Sequence, residues 1–136
     1  MKIAVVGGGI VGATCAYYLS KEQKNKIVVF DYGLGQATKA SAGIISPWFS
    51  KRRNKPWYKM ARLGADFYLK LVKDLEVDGY NTDFYSQCGV YLLKKNEDKL
   101  PELKELAESR KELSPMIGDL EIISKEEVQK IIPSFD

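Results

Sequence analysis

The sequence predicts an α/β fold: a βαβ unit at the start of the chain, followed by part of an α+β domain. Three observations carry this expectation. Lys2–Val6 is a short, nearly continuous apolar run ending at glycines, as a strand buried on both faces is. From Ile10 to about Lys21 the spacing turns helical, with Val11, Cys15, Tyr18 and Leu19 three and four residues apart. A second apolar run, Ile27–Phe30, then closes on Asp31. Strand, helix and strand take about thirty residues, the usual size of a βαβ unit, and its two strands should be parallel.

The remaining elements follow in order. Tyr32–Ser46 is a long loop with Gly33, Gly35 and Gly43 among small polar residues. Pro56 suits the first turn of a helix running to about Leu75, with Met60, Leu63, Gly64, Phe67, Leu71 and Leu75 as its apolar face. Phe84–Tyr85 and Gly89–Leu93 have the aromatic and β-branched content of strands. A charged helix spans about Asp98 to Lys111, and Leu120–Ile123 is a further short strand. Ser124 with Glu127 three residues on forms a capping box, opening a last helix that ends near Ile132, before Pro133.

Composition sets the outer bounds. The 136 residues amount to one domain or a piece of something larger; 45% are hydrophobic and 29% charged, as in an ordinary folded protein. A net charge of +3 gives no case for nucleic acid. The run Lys51-Arg52-Arg53-Asn54-Lys55 reads as a solvated loop. Two cysteines, Cys15 and Cys88, are too few for a disulfide framework, so a reduced, cytoplasmic protein is expected, with Cys15 filling a small core position. The absence of histidine excludes a His-based triad, His metal site or His general base in this chain, and no metal site is expected. No apolar run reaches the length of a membrane span, and the glycines within the first twenty residues argue against a signal peptide.

Those glycines carry the chemistry. Gly7-Gly8-Gly9-Ile10-Val11-Gly12 matches G-x-G-x-x-G between a predicted strand and a predicted helix, with Asp31 at the end of the next strand. Gly7 permits the tight turn, Gly9 lets backbone approach a pyrophosphate, and Gly12 lets the helix pack closely on the sheet. The helix N-terminus at Ile10 and Val11 offers N–H groups to the anion. Asp31 can accept hydrogen bonds from a ribose diol and would repel a 2′-phosphate, which disfavours NADP. The loop from Gln36 to Trp48 bears on whether the dinucleotide is FAD or NAD. Its small residues suit a second backbone approach to a long cofactor, and Thr38 and Ser41 could donate to phosphate or ribitol oxygens; a plain surface loop would read the same way.

Gly7–Gly12, Asp31 and the stretch Thr38–Trp48 resemble the amino-terminal part of the D-amino-acid oxidase family of FAD-dependent oxidoreductases, in particular its glycine oxidase and D-amino-acid dehydrogenase small-subunit types. Gly89–Leu93, the charged helix and Leu120–Pro133 resemble them more loosely. The resemblance implies a Rossmann-like FAD-binding βαβ unit in residues 1–48, part of a substrate domain in 49–136, and FAD as cofactor. It extends the cofactor-binding set of Gly7, Gly9, Gly12, Asp31, Thr38 and Ser41 to Ile10, Val11, Tyr32, Ala42, Gly43 and Ile44.

It also implies an activity, oxidation of a D-amino acid, glycine or related amine by hydride transfer to flavin N5. Two departures stand out. Asp31 occupies a place where the family more often has glutamate, and such enzymes are usually well over twice this length, so the chain is expected to be a fragment, inactive by itself and prone to self-association. No catalytic residue is assigned. Arg52, Arg53, Arg62 and Arg110 are not taken as a carboxylate clamp, and Tyr80, Tyr85 and Tyr91 are read as strand or core aromatics. An NAD-dependent dehydrogenase and a non-catalytic nucleotide-binding module are the alternatives.

Overall fold

Branched and aromatic side chains pack well on a pleated backbone, and both apolar runs form strands: β1, Lys2–Val6, and β2, Lys26–Phe30. They pair in parallel, in register from Lys2 opposite Lys26 to Val6 opposite Phe30. The helix between them, α1 (Ile10–Ser20), packs on both strands. The computed structural model describes residues 1–52 and 54–134; Arg53 and the last two residues lie outside this range. The chain divides into one unit, Met1–Ile44, and a second that begins at Ile45.

The strands are less covered than expected. α1 shields one face of a two-stranded sheet, and Val28, Val29 and Phe30 remain exposed. Cys15 is not a core filler either. It is exposed, one helical turn after Val11, which is also exposed. An apolar helix against two strands has more apolar surface than the sheet can cover.

The second unit is built on α3 (Lys55–Val77), with Pro56 in its first turn and Asn54 as N-cap; the Asn54 side chain accepts from the Trp57 N–H at 3.0 Å. The helix buries only part of the expected face: Leu71 is buried as expected and Ala65 is buried as well, whereas Met60, Leu63 and Phe67 are exposed. The difference is one of partners. Here α3 packs on the 3-10 turn Pro47–Phe49, which presents the buried Trp48, and the stripe through Met60 meets nothing comparable among the described residues.

Helix α4 (Lys99–Glu108) buries Leu103 and Ala107 and packs on the same turn. Helix α5 (Lys125–Ile131) has the expected capping box: the Glu127 N–H donates to Ser124 Oγ, and the Ser124 N–H donates to Glu127 at 2.8 Å.

Three expected strands do not form. Phe84–Tyr85, Gly89–Leu93 and Leu120–Ile123 pair with nothing, because a strand exists through its ladder and the described residues hold no partner for them. Tyr85 stacks on Tyr68 with ring centroids 5.9 Å apart, while Tyr80 and Tyr91 are exposed and fill no core.

Two arginines hold this unit together through main-chain oxygens. Arg110 donates to Trp48 O and, at 3.0 Å, to Ser50 O, and its guanidinium lies 4.1 Å from the centre of the Tyr58 ring. Arg62 donates to Leu113 O at 2.6 Å and to Asp66 at 3.1 Å. These contacts leave neither group free to act as a substrate clamp. Arg52 lies over the Trp57 ring, 4.6 Å from its centre. Arg110→Met keeps most of the side-chain volume but strands two half-buried carbonyls, and should cost about 2–3 kcal/mol. Denaturant unfolding followed by tryptophan fluorescence measures it; an unchanged midpoint would show that the 3-10 turn is held by packing alone.

Candidate nucleotide-binding site

The site follows from strand register. Because Val6 lies opposite Phe30, the residues after them, Gly7 and Asp31, emerge side by side at the same end of the sheet. The Gly7 N–H donates to Phe30 O at 2.7 Å and continues the ladder one step. Gly7 then takes φ +99°, a left-handed conformation that side-chain-bearing residues rarely adopt, and the chain turns toward α1. At Gly12 a Cβ would be driven into the Gly7 carbonyl oxygen, well inside van der Waals contact, with Val5 Cγ1 also close. The first turn of α1 therefore sits directly on the turn that leads into it.

Asp31 closes the other side. One carboxylate oxygen accepts from the Gly8 N–H at 2.5 Å; the other accepts from the Gly33 N–H at 2.8 Å and from the Gln36 side-chain amide. The Gly8, Gly33 and Gln36 donors, in that order, together hold the Asp31 carboxyl below the usual aspartate range, so it is ionised at neutral pH. Three donors occupy three of about four acceptor positions on a carboxylate, leaving the oxygen bonded to Gly8 room for one more hydrogen bond.

Thr38 completes the cradle. It lies in a short helical turn, α2 (Ala37–Ala40), and its Oγ1 accepts from the Ile10 N–H at 3.1 Å, over the start of α1. Ser41 Oγ donates to Thr38 O at 2.9 Å. The N-cap of α1 is Gly9, which has no side chain to cap the first turn, and that turn contains no acidic residue. A Cβ on Gly9 would meet Thr38 Oγ1 at 3.3 Å, so backbone and hydroxyl are already close there.

Of the expected residues, Gly7, Gly9, Ile10, Gly12, Asp31, Thr38 and Ser41 thus join one network of turn, helix start and loop. Val11, Tyr32, Ala42, Gly43 and Ile44 are exposed and stand outside that network. Two residues that the motif passes over belong to it. Gly8 stands where a Cβ would come within 3.0 Å of Asp31 Oδ2, and Gln36 anchors the loop on that carboxylate. Three consecutive glycines were the only sequence signal for the first; nothing in the sequence signals the second.

The arrangement fits a pyrophosphate-bearing group. It offers a helix N-terminus whose own N-cap, Gly9, has no side chain, a threonine hydroxyl already on its first N–H, and a carboxylate alongside with acceptor capacity for a sugar hydroxyl.

The family model described as FAD dependent oxidoreductase (DAO) matches residues 2–136. The chain is 40% identical over 129 residues to the uncharacterized oxidoreductase YurR of Bacillus subtilis, covering 95% of this chain and 35% of that protein. It is 33% identical over 76 residues to the glycine oxidase of the same organism, covering 54% of this chain and 20% of the relative. Among solved structures, iminodiacetate oxidase from Chelativorans sp. BNC1 superposes with a TM-score of 0.86 at 26% identity, over 98% of this chain and 36% of that one. The chain thus spans about a third of the length of YurR and of the iminodiacetate oxidase.

Proposed function

Because the chain belongs to the FAD-dependent oxidoreductase (DAO) family, we propose that its glycine turn, α1 and Asp31 hold the ADP half of FAD. Residues 1–48 then contribute to the cofactor domain and 49–136 to a substrate domain. The carrying observation is the Asp31 carboxylate bonded to the Gly8 N–H beside the start of α1, where the N-cap Gly9 has no side chain and the Thr38 hydroxyl meets the Ile10 N–H. In this reading the first turn of α1 binds the pyrophosphate and Thr38 and Ser41 line its approach. Asp31 accepts from the adenosine ribose, and Tyr32, Ala42, Gly43 and Ile44 follow the cofactor outward. Bound flavin would supply the redox chemistry, accepting a hydride from the α-carbon of the substrate.

The substrate we propose is a D-amino acid, glycine or a related small amine. The relatives include a glycine oxidase and an iminodiacetate oxidase, both named for small amines bearing carboxylates. A reducing, cytoplasmic setting suits two cysteines that are free and exposed. No helix among the described residues is long and apolar enough to cross a membrane.

We further propose that the 136-residue chain by itself neither turns over substrate nor retains flavin, and that it self-associates. The exposed Val28, Val29 and Phe30 of β2 and the stripe through Met60, Leu63 and Phe67 support this, since contiguous apolar surface seeks a cover. The chain is to be purified, its visible spectrum recorded, ADP and FAD titrated, and peroxide or dye reduction assayed with glycine and D-amino acids. Weak ADP binding, no flavin absorbance and elution above monomer size on gel filtration are expected. Stoichiometric co-purifying flavin would overturn the proposal that the chain holds only half of a cofactor site.

A further inference from the structure

Within the second unit, four lysines that the flavin site does not use converge on one cleft. Lys51, Lys94, Lys95 and Lys99 surround a volume of about 500 Å³ whose apolar lining is Phe49 and Leu103. The size falls in the range of small-molecule sites, about 300–1,000 Å³. Two of the lysines come from the segment before α4, one from its first residue and one from the segment after the 3-10 turn, so the cluster is assembled by the fold.

Local hydrogen bonds fix the approach to α4. The Asp98 N–H donates to Asn96 Oδ1 at 2.9 Å, and the Lys99 N–H donates to Asn96 O at 3.3 Å. Among the described residues only Lys51 of the four has an ion-pair partner, Glu102, at 2.7 Å. Glu97 and Asp98 adjoin the cluster in sequence but pair with none of the four. Lys99 also acts on the Glu102 carboxylate, whereas Lys94 and Lys95 form no ion pair among the described residues; their adjacent ammonium groups repel one another, and a multiply charged anion relieves that repulsion. Lysines act as point charges suited to phosphate oxygens, while the half-buried Phe49 offers an apolar surface for a flat organic body.

We propose that this cleft binds a small phosphorylated molecule carrying at least two negative charges and an apolar or aromatic body, of nucleotide size. The site lies in the second unit and is separate from the one assigned to flavin. The test is calorimetric titration of the full chain with ATP and with inorganic tripolyphosphate at low and raised salt. Both probes should bind, ATP the more tightly, and added salt should weaken both. Lys94→Glu/Lys95→Glu should weaken both by about tenfold or more. All these titrations are run in an Asp31→Ala background, so that nucleotide held at the glycine turn does not contribute, and both probes should still bind there. A control reversal on α5, Lys125→Glu/Lys130→Glu, should have little effect.

Unchanged binding in the Lys94/Lys95 variant, an equal loss in the α5 control, or no binding of either probe overturns the proposal. Loss of binding in Asp31→Ala overturns it too, by assigning the anion to the glycine turn. Equal affinity for tripolyphosphate and ATP removes the apolar body from it.

Discussion

Gly12→Val should unfold the first unit and abolish nucleotide binding there. A branched side chain at this position has to occupy the space of the Gly7 carbonyl oxygen, which is backbone and cannot rotate away. Relief requires α1 to lift off the turn or β1 to lose its end. Either movement separates the Gly8 N–H from Asp31 and the Ile10 N–H from Thr38. Overpacking ordinarily costs about 1–3 kcal/mol, and a clash with main chain belongs at or above the upper end.

Gly64→Ala is the matched control. It too is a glycine inside a helix, but nothing lies within 4 Å of where its Cβ would be, so alanine there should be neutral or stabilising by up to about 1 kcal/mol. Thermal melts followed by circular dichroism, together with ADP titration, separate the two. A Gly12→Val chain that melts like the parent and still binds ADP would mean that the α1 start is not fixed to the turn as described.

The second large effect is expected at Asp31. Asp31→Ala removes the acceptor for the Gly8 N–H, the Gly33 N–H and the Gln36 amide at once, together with the proposed ribose contact. ADP should bind about ten- to hundred-fold more weakly, the scale of lost hydrogen bonds to a charged group. Asp31→Asn, which keeps one acceptor oxygen, should fall between.

The same carboxylate predicts a pH dependence. Its folded value is depressed by those three donors, so the stability it contributes is fully present above the unfolded range and is lost as pH falls through the folded value. The first unit should therefore keep that contribution from neutral pH down to about pH 4, the ordinary aspartate range, and lose it below. Asp31→Asn should lack that component, as monitored by the amide resonances of residues 1–44. Unchanged ADP affinity in Asp31→Ala would refute the ribose role. A parallel acid transition in Asp31→Asn would refute the electrostatic one.

Much of this site was legible in the sequence because a parallel pair in register leaves little freedom. Once Lys2–Val6 and Ile27–Phe30 are strands, Gly7 and Asp31 must leave the sheet together. The Thr38 hydroxyl and the family resemblance of its loop point to Thr38, and the structure gives that hydroxyl a partner in the Ile10 N–H. Gln36 was not legible, since nothing local distinguishes an anchoring amide from a solvated one.

The second unit read less well for a related reason. Periodicity reports that α3 is amphipathic, but the stripe through Met60 and the one through Ala65 compete, and only the packing of Trp48 decides between them. Val90–Leu93 has a strand's composition, yet composition supplies one side of a ladder and never the other.

The bond from the Ile10 N–H to Thr38 Oγ1 has a consequence for how an anion would be received. A threonine hydroxyl that has accepted one hydrogen bond still carries its own proton, free to rotate toward a second oxygen. Loop 36–41 is also already folded, tied by Thr38 to the start of α1, by Gln36 to Asp31 and internally by Ser41 to Thr38. The ordering entropy of that segment is spent during folding, so little of it remains to be lost on binding. Thr38 is thus a stopper that need not be removed: it satisfies one N–H of the helix while no ligand is present, and can swing its proton onto a phosphate when one arrives.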